Sequence, residues 1–223
     1  MMEIKSVSNT VIEYLRSQIV TGKLRANQKL NENDLASSLG ISRPPIREAF
    51  RTLENEHLVV SIPRKGTYVT NISIEDLLEL CQVRKMIESY TIDLLKTKSI
   101  KELPQVESSL EEAGRLPLPS FENQDEMLYY HKVFADFHGK LIEAVSNYRI
   151  IHFYKAISLN LTRYQIMYLF IPGSVRHSLQ DHREILDFIK RGEYDKAKEC
   201  IENHINYTAE VLQSKILADN FKG

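Results

Sequence analysis

Three histidines stand in three separate stretches of helical periodicity: His138 in Asp136-Phe137-His138-Gly139-Lys140-Leu141, His182 in Asp181-His182-Arg183-Glu184-Ile185-Leu186, and His204 in Ile201-Glu202-Asn203-His204-Ile205. Side chains projected inward from several helices are how a bundle builds a metal or ligand site, and three neutral imidazoles with an open position suit zinc, nickel or a similar borderline ion. A hydrogen-bonded structural histidine is the plainer reading of each. A second set is cationic. Arg43, Arg47 and Arg51 recur every four residues and so share one helix face. Such a row is either a solvated stripe or a surface for phosphates and base edges. Arg84, four residues before Glu88, has the spacing of an ion pair within one helix.

The elements around the arginine row decide between its two readings. Gly40 can take positive φ and end a helix, Ser42 is a suitable N-cap, and Pro44 and Pro45 fall in a first turn whose N–H groups have no intrahelical partner. A helix therefore starts at Ser42, with Ile46, Ala49, Phe50 and Leu53 as its apolar face. Upstream, Asn31 to Leu39 caps and fills a short helix, so two helices meet across a short turn containing glycine: a helix-turn-helix. Residues 8 to 21 predict a preceding helix with Val11, Leu15 and Ile19 buried, and Gln28-Lys29-Leu30 a short strand. Leu58 to Ile62, Pro63-Arg64-Lys65-Gly66 and Thr67 to Thr70 read as strand, basic turn and strand, a wing whose tip carries Arg64 and Lys65.

The residues Leu30-Asn31-Glu32, Leu35-Ala36, Leu39-Gly40-Ile41-Ser42-Arg43, Pro45-Ile46-Arg47-Glu48-Ala49, Leu53-Glu54 and Arg64-Lys65-Gly66-Thr67 resemble the winged helix of GntR-family bacterial transcription regulators, over most of residues 7 to 70. The resemblance implies that Arg43 and Arg47 contact bases or phosphates in the major groove of double-stranded DNA, that Gly66 at the wing tip approaches the minor groove, and that Ser42, Pro44, Arg64 and Lys65 belong to the same DNA-binding surface. Asn33 and Pro44 stand where many members have arginine and threonine.

Composition agrees with two unlike halves. The whole chain of 223 residues has a formal charge of −1. Residues 1 to 70 hold 10 Lys+Arg against 7 Asp+Glu, and the remainder holds 19 against 23. A mildly basic head is joined to an acidic body. Cys81 and Cys200, far apart and each in a helical pattern, read as reduced core residues. The opening Met1-Met2-Glu3-Ile4-Lys5 has no apolar signal core and no apolar run reaches spanning length, which predicts a cytoplasmic protein with no membrane contact.

After Asn71-Ile72, Ser73 begins a near capping box before a helix reaching about Thr97. Helical patterns then cover residues 103 to 114, 122 to 146, 148 to 171, 174 to 191 and 194 to 218, separated by Leu116-Pro117-Leu118-Pro119-Ser120, Ser146-Asn147, Pro172-Gly173 and Gly192. Connections this short predict an antiparallel bundle of about six helices. The expected chain is mainly α: a winged helix-turn-helix over residues 1 to 70 and an all-helical effector and dimerisation domain over residues 71 to 223. Tyrosines enrich the middle helices, most of them as core or interface residues and a few as possible pocket lining.

Val83-Arg84-Lys85-Met86-Ile87-Glu88, Phe137-His138-x-x-Leu141 ending at Ser146-Asn147, and His182-Arg183-Glu184-Ile185-Leu186 followed by Gly192 and His204 resemble the FCD effector domain of the FadR branch of that family. The resemblance implies that His138, His182 and His204 hold a divalent metal such as zinc or nickel, and that Arg84, with Arg163 as a weaker second candidate, grips an effector's carboxylate. An aspartate normally stands four residues before the first histidine; here that residue is Phe134. Asp136 does not substitute, because two residues turn a helix by about 200°. His131 lies about two turns, ~10 Å, from His138 and is a poor replacement.

The expectation is a homodimeric, metabolite-responsive regulator, acting as a repressor on an inverted-repeat operator, with a small organic acid as effector and no enzymatic activity. Two alternatives stand beside it: a metal-free pocket for an acyl or other apolar ligand, and a three-histidine metalloenzyme. Against the latter there is no His-Glu-x-x-His, nucleophile elbow or phosphate loop.

Overall fold

The structure, a computed structural model, describes residues 6–117 and 124–220. It divides into two compact units, Met1–Ile72 and Ser73–Gly223. Among the described residues no helix is long and apolar enough to cross a membrane.

The first unit contains α1 (Val7–Val20), β1 (Lys29–Leu30), α2 (Glu32–Leu39), α3 (Arg43–Asn55), β2 (Val59–Ile62) and β3 (Gly66–Val69). Its core is the meeting of two apolar stripes: Val11, Ile12, Leu15 and Ile19 from α1, and Ile46, Ala49, Phe50 and Leu53 from α3, closed by Leu30, Val59 and Val69 from the small sheet and by Leu58 just before it. Asn31 caps α2 by accepting from the Asn33 N–H at 2.8 Å, and Gly40 ends it at φ 66°. The sheet is antiparallel in the order β1-β3-β2, with Lys29 opposite Tyr68 and Ile62 opposite Gly66. The hairpin tip places Arg64 at φ 65° and Gly66 at φ 114°, the latter a conformation that side chains rarely adopt.

The second unit is a bundle of six helices among the described residues: α4 (Ile74–Thr97), α5 (Pro104–Arg115), α6 (Gln124–Glu143), α7 (Tyr148–Leu169), α8 (Ser174–Arg191) and α9 (Tyr194–Asn220). Ser73 caps α4, accepting from the Asp76 N–H at 3.1 Å. The sixth helix expected to start at residue 122, and the Leu118-Pro119-Ser120 break before it, fall in part outside the described residues. α6 stops at Glu143 rather than residue 146, because Ser146 turns into positive φ of 51° and donates its N–H to the Glu143 carbonyl. α4 packs along α9, α9 against α8, and α6 against α5 and α7. Cys81 is buried and Cys200 only half-buried, so the latter is not a core residue; both are free thiols.

Candidate functional site

In the first unit, Ser42, Arg43, Pro44, Arg47 and Arg51 are all exposed, while Ile46, Ala49, Phe50 and Leu53 on the opposite face of α3 are buried. The cationic row is thus presented by a helix whose other side anchors it. Two residues of α2 hold it in place: Arg47 Nε donates to Glu32 Oε2 at 2.8 Å, and Arg43 Nη1 approaches Asn33 Oδ1 at 3.5 Å. Ser42 occupies the N-cap position with extended backbone yet makes no capping hydrogen bond with its side chain. The reason is in the sequence. A cap serine accepts from the N–H of the second or third helical residue, and those are Pro44 and Pro45, which have none. Arg64, Lys65 and Gly66 are exposed at the hairpin tip. A Cβ on Gly66 would lie 3.0 Å from Lys29 Cε.

In the second unit, α6, α8 and α9 bring His138, His182 and His204 together, all buried, with one ring nitrogen of each within 4.8 Å of the others. The Nε2 atoms of His182 and His204 are 3.3 Å apart. Carboxylates hold two of the rings from behind: His138 Nδ1 lies 2.8 Å from Glu88 Oε2, and His204 Nδ1 lies 2.9 Å from Asp181 Oδ2. A carboxylate on Nδ1 fixes the proton there and leaves Nε2 with a lone pair facing the cluster. His204 then accepts from His182, whose ring stacks on Phe137 at 4.1 Å between centroids.

Burial holds the pKa of all three histidines below the ordinary value. For His138 the charges of Arg84 and His204 act in the same direction, for His182 those of His138, His204 and Arg84, and for His204 the Asp181 carboxylate opposes the shift. The rings are neutral, as metal ligands must be.

Arg84 reaches the same place from α4. Its Nε donates to Glu88 Oε1 at 2.7 Å, and its Nη2 lies 2.7 Å from His138 Nε2. Burial works against its charge, and Glu88 more than compensates, so its pKa stays raised. The helix-spaced ion pair and the approach to the histidines are both present.

A cavity of about 50 Å³ opens beside the cluster, lined by Arg84 and the three histidines on one side and by Phe134, Leu169 and Val175 on another. Phe134 occupies the cavity wall one turn before His138 and brings a phenyl ring where an anionic ligand would be needed. His131, bonded to Gln165 at 2.8 Å, lines the far side of the cavity rather than joining the cluster. Tyr168 also lines it; its buried hydroxyl makes no hydrogen bond of normal geometry among the described residues, with Ser178 and Thr208 as polar neighbours. Arg163 is not brought to this lining. It is buried on α7, with Tyr164 and Asp76 as electrostatic neighbours.

Sequence reasoning missed Asp181 and the second half of Glu88's role, its bond to His138. The signal was present for both: Asp181 precedes a candidate ligand, and Glu88 can reach any ring that approaches Arg84.

The donor set fits a divalent ion. A separation of 3.3 Å between two Nε2 atoms is that of neighbouring ligands on a tetrahedral ion with bonds of about 2.0–2.1 Å, and the carboxylate-backed rings supply the usual outer support. What the cluster lacks is a negatively charged ligand of its own.

Comparison with known proteins finds the model for bacterial regulatory proteins of the gntR family at residues 7–69 and the model for the FCD domain at residues 79–207. The HTH-type transcriptional regulator YdhC of Bacillus subtilis (strain 168) is 29% identical over 210 residues, covering 89% of this chain and 88% of that protein. The gluconate operon transcriptional repressor of Bacillus licheniformis is 24% identical over 173 residues, 78% of this chain and 68% of that one. Among solved structures, a GntR transcriptional regulator from Rhodococcus sp. RHA1 superposes with a TM-score of 0.72 at 21% identity, over 94% of this chain and 99% of that chain, a likeness of fold.

Proposed function

Because the chain belongs to the gntR family of bacterial regulatory proteins, with the family's DNA-binding domain followed by an FCD domain, we propose that it is a homodimeric repressor that releases an inverted-repeat operator when a short organic acid fills the cavity beside the three histidines. It is a DNA-binding transcription regulator and not an enzyme, which removes the metalloenzyme alternative. In this proposal Arg43 and Arg47 read base edges or phosphates in the major groove, Ser42 and the Pro44 backbone fix the helix start on the phosphate chain, and Arg64, Lys65 and Gly66 follow the groove beside it. Two subunits present their recognition helices about 34 Å apart, one helical turn of DNA. Leu78, Val83, Met86 and Tyr90, exposed along α4, supply an apolar surface for the second copy. The DNA it acts on assigns it to the bacterial cytoplasm.

The observation that carries the effector reading is the cavity itself, about 50 Å³ lined by a buried guanidinium, three imidazoles and the Tyr168 hydroxyl. Arg84 would take the carboxylate in fork geometry, and Tyr168 would donate to a second oxygen. The buried guanidinium and imidazoles in the lining favour a carboxylate over an acyl chain. His138, His182 and His204 would hold zinc or nickel, which when bound supplies a Lewis-acid centre for the same carboxylate. α4 carries Arg84 and Glu88 and follows the DNA-binding unit directly in the chain, so it is the element proposed to relay occupancy.

Fluorescence anisotropy tests this, using a duplex selected by the protein from a random-sequence pool and a panel of short hydroxy acids, dicarboxylates, sugar acids and an acyl thioester, with and without zinc. A short acid should weaken DNA binding by at least about fivefold, and Arg84→Ala should abolish the response. A response only to the acyl thioester, or to none of the panel, overturns it.

A further inference from the structure

We propose that Arg84 and a divalent metal are mutually exclusive partners of His138 Nε2, so that this chain carries a built-in competitor for its own metal site. The proposal rests on the reading of the histidine cluster given above and concerns the state without effector.

Arg84, Glu88 and His138 form a closed ring of hydrogen bonds. Arg84 Nε bonds Glu88 Oε1 at 2.7 Å, Glu88 Oε2 faces His138 Nδ1 at 2.8 Å, and His138 Nε2 faces Arg84 Nη2 at 2.7 Å. The three residues are 2%, 0% and 3% exposed, so water does not take up any of these groups. A guanidinium has only donors. His138 Nε2 must therefore be the acceptor, and its ring proton sits on Nδ1 against Glu88. That tautomer is the one a metal ligand needs, but the single lone pair it exposes is already taken by Arg84. An imidazole nitrogen has one lone pair in the ring plane, and it serves an N–H or a metal ion, never both.

Electrostatics point the same way. A divalent ion at the cluster would sit beside a buried guanidinium, and the side chain in the cavity wall one turn before His138 is the uncharged Phe134. Glu88 is committed to Arg84 and His138 through both oxygens. The same Glu88 bond gives Arg84 an anchor: the guanidinium is a rigid plane, so an anion in the cavity that Arg84 lines would draw Nη2 from His138 Nε2 by shifting the whole group, with Glu88 as its remaining partner. An effector carboxylate that engages Arg84 thereby releases His138 Nε2, and by linkage the metal and the acid raise each other's affinity. His182 and His204 form no hydrogen bond with Arg84 among the described residues; they are bonded to each other through Nε2, and to take a metal His182 must move its ring proton from Nε2 to Nδ1.

The test is the zinc affinity of the full chain, with zinc alone as probe, by competition with a chromogenic chelator. Arg84→Met should bind zinc about tenfold or more tightly than wild type, the scale of losing a hydrogen bond from a charged donor. Adding His138→Ala to Arg84→Met should cancel that gain. Because Arg84→Met leaves Glu88 buried without its cation, Arg84→Met/Glu88→Gln, which removes both charges but also the carboxylate behind His138, is compared with Glu88→Gln alone, over which it should show the same gain, with a thermal melt to verify folding. Equal zinc affinity in wild type and Arg84→Met, and in Glu88→Gln and the double variant, overturns the competition. His182→Ala and His204→Ala separate the two failures: if they weaken zinc binding while Arg84→Met does nothing, the histidine site stands and the competitor does not; if they change nothing, the site reading itself is wrong.

Discussion

Glu32, the first residue of α2, accepts a hydrogen bond from Arg47 Nε on α3 at 2.8 Å, so the first helix of the helix-turn-helix restrains the arginine that the second presents. Both side chains remain partly exposed, 34% for Glu32 and 56% for Arg47, so the pair adds little to stability, about 0.2–1 kcal/mol. Its consequence is for binding. Glu32→Gln loosens Arg47 and also removes a negative charge near the phosphate chain. Affinity for unrelated duplex should rise while preference for a selected operator falls, narrowing their ratio by about fivefold. Arg47→Ala should cost about 1–3 kcal/mol on the operator and relax specificity at one base pair; a uniform loss across sequences would assign Arg47 to phosphate. Competition anisotropy with both duplexes reads the two effects separately.

Ser42→Ala should leave stability nearly unchanged, within about 0.5 kcal/mol, where loss of an N-cap serine ordinarily costs about 1 kcal/mol. The hydroxyl has no N–H to cap, since Pro44 and Pro45 follow it. Operator affinity should nonetheless fall. Urea unfolding and anisotropy on the same variant check both halves, and a stability loss of a full cap would contradict the account.

Tyr164→Phe should destabilise the helical unit by about 1–3 kcal/mol. Tyr164 is buried on α7 and donates to Asp76 Oδ2 at 2.6 Å, while its oxygen accepts from the Ser73 N–H at 3.3 Å, tying down the start of α4. Burial, and then the hydrogen bond to Asp76, push the phenol pKa up, so the donor persists at all ordinary pH values. Denaturant unfolding with an unchanged m-value checks it.

Asp181→Asn should weaken zinc binding by about 10–100-fold without unfolding the chain, because Asp181 fixes the His204 ring and tautomer rather than contacting the ion. Equilibrium dialysis against zinc gives the number. An unchanged affinity would show that His204 needs no such support.

Much of the architecture was legible in the chain because local rules and apolar periodicity agreed. Gly40 and the two prolines after Arg43 mark where one helix ends and the next begins, Ile46, Ala49, Phe50 and Leu53 fix which side of it is buried, and the exposed arginines follow by elimination. Helix periodicity likewise gave six helices in the second half, and missed chiefly at the end of α6, where Ser146 adopts a left-handed turn that no pattern announces.

The site divides differently. The three histidines, Arg84 and the position of Phe134 are identities at helical registers, and the sequence by itself determined them together with the mild positive charge of the head. Only the tertiary structure decided their relations: that Glu88 faces Arg84 and His138 at once, that Asp181 rather than a residue of α9 backs His204, that Arg163 stays out of the cavity lining, and that Tyr168 joins it. The physical reason is range. Helix periodicity arises from contacts three or four residues apart, whereas the contacts that assemble the cluster, Arg84 and Glu88 to His138, His182 to His204 and Asp181 to His204, join residues 22 or more apart in sequence, set by how whole helices pack.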